Sequence, residues 1–138
     1  MIQFHYSYSS FKIKGATKIK AWLENTAISE KKKIQRIDFI FVDDEALRNI
    51  NKQTLHHDYY TDILTFPYSY RPIEGELYIS IDRIKDHSIK YAVPFNHELT
   101  RVMVHGLLHL CGYDDKSEKN KTRMTQKENQ YLDLLFRK

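Results

Sequence analysis

The spacing of hydrophobic and polar positions changes several times along the chain, and each change marks an element. Residues 2–8 alternate, with Ile2, Phe4, Tyr6 and Tyr8 set against Gln3, His5 and Ser7. Side chains of a strand point to opposite faces in turn, so this period of two predicts a strand with one buried face. Over 14–25 the period lengthens, and Ile19, Trp22 and Leu23 share one side of a helix. Residues 36–42 are mostly apolar, as a central strand covered on both faces would be. Asp43 or Asp44 can cap the next helix, which carries Leu47 and Ile50. Two further strands are predicted over 61–66 and 76–81, and the stretch between them, holding Pro67 and Pro72, reads as a loop. Helices follow over 82–91, over 97–111 after Pro94 and Asn96, and over 119–136, where Met124, Tyr131, Leu132 and Leu135 face the core.

Strands mixed with helices in this order give an α/β or α+β sandwich. The chain has no internal repeat, and its four glycines and three prolines leave no linker, so residues 1–138 read as one domain. That length is enough for a real hydrophobic core. Composition adds exclusions. No apolar run approaches the ~20 residues that span a bilayer. The N-terminal residues lack the basic start and apolar stretch of a signal peptide. A single cysteine, Cys111, excludes an internal disulfide framework. Together these favour the cytoplasm. The formal charge is +4, which permits nucleic-acid binding without demanding it. Two basic clusters stand out, Lys31–Lys33 with Arg36, and Lys116, Lys119, Lys121, Arg123 and Lys127. Each taken alone is what a solvated face looks like, but the second should lie near the feature described next.

That feature is the run His105-Gly-Leu-Leu-His109-Leu-Cys-Gly-Tyr-Asp-Asp115. Histidines four apart on a helix lie on one face, about a turn from each other, and can reach one metal ion. Gly112 offers the helix a place to stop and the chain a place to turn back. Asp115 can then give a carboxylate to the same ion. Asp114 is a rival third ligand, and Cys111 a weaker one that should point to another side of the helix. A pair of histidines at this spacing also arises by chance in a chain with seven. The apolar approach, the glycine turn and the carboxylate beyond it favour a metal. Three protein ligands leave a tetrahedral ion one open position, the arrangement of a catalytic zinc site, and so point to hydrolysis.

The same run, entered through Arg101-Val-Met-Val, resembles the signature of the YbeY family of rRNA maturation factors. Thr61-Asp-Ile-Leu-Thr-Phe-Pro67 and Gly75-Glu-Leu-Tyr-Ile-Ser80 resemble two more of its segments, in the same order, and Met124 and Glu128 fit its last helix. The resemblance implies an α+β fold, a small mixed sheet of about four strands with helices packed on it, similar to zinc-protease catalytic domains. It implies metal ligands at His105, His109 and Asp115, one zinc ion, and single-strand endoribonuclease activity in rRNA maturation. Small-subunit rRNA 3′-end processing, ribosome quality control and a ribosomal partner follow by the same implication. Two positions depart from the pattern. Asp115 stands where the family's third histidine is usual, and Leu55 stands where an arginine is usual, which removes a cation that could hold a phosphate.

Asp115 would leave the first shell of a divalent zinc site with a net charge of one, where three histidines leave two. It would also make the ligand set slightly more tolerant of Mn or Ni. A metalloprotease is the competing enzyme class, but such proteases place a glutamate directly after the first histidine, and here that position is Gly106. Glu98 lies back along the helix and cannot take its place. A non-catalytic zinc-binding ribosome-assembly factor is the other rival, favoured by Leu55. His56 or His57 could supply the missing charge, Asp62 could line the site, and exposed tyrosines could stack on bases. Each has an ordinary structural explanation as well.

Overall fold

The computed structural model describes every residue except Ser9, Asp58 and Lys138. The element order is β1 (Ile2–Tyr6), α1 (Ala16–Ser29), β2 (Ile34–Val42), α2 (Asp44–Leu55), β3 (Ile63–Tyr70), β4 (Ile73–Ser80), α3 (Ile81–Lys90), α4 (Phe95–Leu110) and α5 (Glu118–Leu135). The four strands form one sheet in the order β1-β2-β4-β3. β1 and β4 both run parallel to β2, and β3 returns antiparallel on β4. The expected α+β class with four strands is what the chain adopts.

The pleat divides the sheet into two chemically different faces. Ile37, Phe39 and Phe41 of β2 and Leu77 and Ile79 of β4 are fully buried on one face against the helices, in one core with Leu99, Met103, Leu107 and Tyr131. On the other face α2 covers a smaller cluster of Val42, Leu47 and Leu64. Helix α4 carries the densest apolar load and packs directly on the sheet, where Gly106 permits the approach. A Cβ at Gly106 would come within 2.8 Å of Ile63 Cδ1 and 2.9 Å of Leu77 Cδ2. Asp43, not Asp44, caps α2, its side chain accepting the Ala46 N–H at 2.8 Å. Asp44 instead accepts from Ser80 Oγ at 2.6 Å and pairs with Arg83 at 2.9 Å.

The expected loop between the third and fourth strands is not there. β3 continues through Pro67 to Tyr70 and pairs with β4 down to Tyr70–Ile73, leaving only Arg71 and Pro72 as the turn. Proline is tolerated because β3 is an edge strand, where a missing N–H interrupts no interior ladder. The predicted strand over 76–81 also starts earlier, at Ile73, and stops one residue sooner, since Ile81 opens α3. α1 runs four residues beyond the predicted end at Asn25, because Thr26 and Ala27 are still buried.

Candidate metal centre

Helix α4 ends in the turn that its glycine predicts. Cys111 closes the helix, and Gly112 has φ 108°. The Tyr113 N–H bonds the Leu108 carbonyl at 3.0 Å and the Gly112 N–H bonds the His109 carbonyl at 3.0 Å. These are the paired bonds of a Schellman ending. The reversal brings the chain back over the last turn of α4, where His105 and His109 project.

His105, His109 and Asp115 converge. The two Nε2 atoms lie 3.0 Å apart, and Asp115 Oδ2 lies 3.5 Å from His105 Nε2 and 3.7 Å from His109 Nε2. Among the described residues this is the one His, Cys, Asp and Glu grouping of three or more whose donor atoms lie close enough to share an ion. A tetrahedral zinc ion with bonds of 2.0–2.1 Å separates its ligands by about 3.4 Å. The circle through the three observed atoms has a radius of about 2.0 Å, so one ion could reach all three with little adjustment.

The hydrogen bonds around the ligands support the same reading. His105 Nδ1 faces Glu128 Oε2 at 2.6 Å, and His109 Nδ1 faces the Tyr113 carbonyl at 2.9 Å. Both acceptors need a proton on Nδ1. In the neutral rings each Nε2 then carries a lone pair, and two lone pairs 3.0 Å apart repel unless a cation lies beside them. Glu128 is itself held by Arg101 Nη1 at 2.8 Å, and Tyr113 is anchored through its hydroxyl to Glu30 at 2.7 Å. Burial pulls the His105 imidazole toward neutrality, but the Glu128 hydrogen bond and the charges of Glu128, Asp115 and Asp62 outweigh it, so its pKa is raised. Burial and the neighbouring His105 lower that of His109.

The rival ligands are engaged elsewhere. Asp114 Oδ1 accepts the Lys116 N–H at 3.0 Å and Asn120 Nδ2 at 2.8 Å. Cys111 is buried behind the helix end, and burial pushes its thiol up to about 12. Asp62 does line the cleft beside His105. Leu55, at the end of α2, is exposed and lines no part of it, and neither do His56 and His57. The second basic cluster is also absent from the cleft wall. Its members Arg123 and Lys127 lie over the Tyr113 ring instead. Reading the sequence missed the Tyr113 carbonyl, and it noted Glu128 only as fitting the family's last helix, with no role beside His105. A carboxylate inside the apolar stripe of α5 was the available signal for Glu128; a backbone acceptor leaves none.

A mixed four-stranded sheet, with a helix presenting two histidines beside its edge strand and a carboxylate returned by a glycine turn, defines a small α+β protein with a candidate metal centre. Comparison with known proteins narrows this. The family model described as Endoribonuclease YbeY matches residues 2–135, and the chain belongs to that family. Proteins named Endoribonuclease YbeY are similar over nearly their whole length. The one from Flavobacterium psychrophilum is 43% identical, covering 97% of this chain and 96% of its own. The one from Karelsulcia muelleri is 40% identical, covering 100% and 98%. The solution structure of TM1509 from Thermotoga maritima aligns with a TM-score of 0.72 at 28% identity, over 99% of this chain and 89% of that one.

Proposed function

We propose that this protein is a zinc-dependent endoribonuclease that cuts single-stranded RNA during rRNA maturation. Small-subunit rRNA 3′ ends are the substrate class and ribosome quality control the setting, in the cytoplasm. Family membership supports the RNA-cleaving part, and no helix among the described residues is long and apolar enough to cross a membrane. The observation that carries the zinc part is the spacing of His105 Nε2, His109 Nε2 and Asp115 Oδ2, close to the edges of a zinc tetrahedron, with both Nδ1 protons already committed.

Zinc, when bound, supplies an electrophile for a phosphoryl oxygen and lowers the pKa of water toward ~7. The rest is the work of the chain. His105 and His109 stay oriented because Glu128 and the Tyr113 carbonyl fix their tautomers. Asp115 sets the charge of the site at one unit, one less than a third histidine would leave. Ile63 and Thr65 of β3 help line the roughly 670 Å³ cleft, and Asp62 adds a carboxylate to its wall. Proteolysis lacks its base. A Cβ at position 106 would lie within 3 Å of Ile63 and Leu77, so the packed interface leaves no room there for a glutamate.

One observation favours a second reading, a zinc-holding ribosome-assembly factor without catalysis: no lysine or arginine lines the cleft among the described residues. A single variant separates the two. His109→Ala should abolish cleavage of single-stranded RNA with the fold intact by circular dichroism, and should lower zinc content measured by elemental analysis. A parent protein that holds one zinc per chain yet cuts no RNA would establish the assembly-factor reading. Cutting of a denatured protein but not of RNA would establish proteolysis.

A further inference from the structure

Among the described residues no lysine or arginine lines the metal cleft, yet a phosphodiester chain carries one negative charge per nucleotide and much of its affinity for a protein comes from such cations. The missing cations stand next door. Tyr70, 56% exposed, lines the far end of the cleft along β3 and also lines an adjoining hollow of about 430 Å³. The other walls of that hollow are Lys31, Lys32, Lys33, Arg71 and Pro72. Lys32 also reaches the hollow on the near side, which opens from the cleft past Gly112, Tyr113 and Asp114 and holds Arg123. Two distant pieces of chain are joined here, because the Ile73 N–H, just after the hairpin turn, bonds the Lys33 carbonyl at 2.8 Å.

We infer that single-stranded RNA, leaving the metal cleft along β3, stacks a base on Tyr70 and lays its phosphates on Lys31, Lys32, Lys33 and Arg71. This rests on the endoribonuclease reading. None of the four cations makes a salt bridge with a described residue. Glu30, the carboxylate next to Lys31 in sequence, is occupied by Tyr113, Tyr131 and Lys127. The negative end of the α1 dipole explains a lysine after that helix, but not Arg71, which comes from the hairpin. Nor does it explain Lys31 at φ 60°, the position of a helix ending that favours glycine. β3 spans eight residues, about 26 Å, so a strand held from end to end needs several nucleotides. A peptide laid along the same edge would pair backbone to backbone, and Pro67 has no N–H to give it.

The test is fluorescence anisotropy of labelled 2′-O-methyl oligouridylates of about four and about twelve nucleotides with the zinc-loaded full chain. The variant is Lys31→Gly, Lys33→Gln, Arg71→Gln, in which glycine suits the positive φ. A control, Lys12→Gln, Lys14→Gln, Lys18→Gln, removes the same charge at the other end of α1, about 20 Å away. The patch variant should lose about tenfold or more in affinity for the longer RNA, and its salt slope should fall by about two. Tyr70→Ala should weaken the longer RNA about tenfold. The control should change neither. Equal losses in both triple variants, or in neither, overturn the path while the parent's RNA binding leaves the nuclease reading standing. A parent that binds no RNA overturns both. Polyglutamate bound as tightly, and lost equally in the patch variant, makes the patch a docking site for an acidic protein and overturns the inference.

Discussion

Replacing Glu128 by glutamine tests whether the second layer of the centre sets its metal affinity. The carboxylate is 7% exposed, and its two oxygens are both used, Oε2 by His105 Nδ1 at 2.6 Å and Oε1 by Arg101 at 2.8 Å. Glutamine keeps the shape but removes the charge. It also keeps one acceptor oxygen, which cannot serve His105 and Arg101 equally. A histidine ligand whose outer partner is lost typically weakens metal binding 10–100-fold, or about 1.4–2.7 kcal/mol. The fold should lose less than a broken buried pair would cost, because Arg101 is 28% exposed and keeps Asn129 Oδ1 at 2.7 Å. A hydrogen bond to a charged group, about 1.5–3 kcal/mol, bounds that loss. Competition with a chromophoric chelator measures the zinc affinity, and urea denaturation of the metal-free protein measures the fold. Glu118→Gln, on the exposed first turn of α5, is the control. Zinc affinity within twofold of the parent at unchanged stability would refute the claim that Glu128 orients His105.

In the metal-free protein the two histidines give opposite pH dependences. The raised His105 pKa adds stability that is fully present below its unfolded value of about 6.5 and is lost as pH rises through the folded value. The lowered His109 pKa removes stability as pH falls below about 6.5. Their combined contribution should therefore peak near pH 6.5, and His105→Gln should flatten the alkaline side of the urea-midpoint profile. Gly106→Ala should cost about 1–3 kcal/mol, because Ile63 and Leu77 must move in a packed interior. A midpoint unchanged in urea would show that α4 can lift off the sheet freely.

The elements that followed a clear period were legible. β1 and β2 declare themselves by alternation or by a continuous apolar run, and α4 and α5 by their stripes. The β3–β4 hairpin was not, because Pro67 reads as a strand breaker unless the strand is known to be an edge, and strand order is not written in local pattern. The convergence of His105, His109 and Asp115 was legible because they sit within one helix end and one turn, where spacing along the chain fixes distance in space. What orients them was not. Glu128 comes from another helix and Glu30 from the end of α1, and their partners depend on how α4 packs between α1 and α5. The Lys31–Lys33 run looked like a solvated face for a related reason. Its meaning depends on Arg71 and Tyr70, some 40 residues away, which only the hairpin brings alongside.

His105, His109 and Asp115 lie within one short segment, so a peptide could present all three, but without Glu128 and Tyr113 the imidazoles would be free to choose either tautomer. In the folded chain His105 is fixed by α5, and His109 by a carbonyl whose residue is tied to Glu30 across the core. On the zinc reading, metal affinity is therefore a property of the packed domain, with binding coupled to folding. Asp115 is the exception. Its carboxylate pairs only with the two histidines among the described residues and is 45% exposed. Of the three ligands it is the one placed by the charge it faces rather than by an anchor behind it. That makes its position the easiest in the centre to exchange between carboxylate and imidazole without disturbing the fold, and the exchange alters the charge of the site by a full unit.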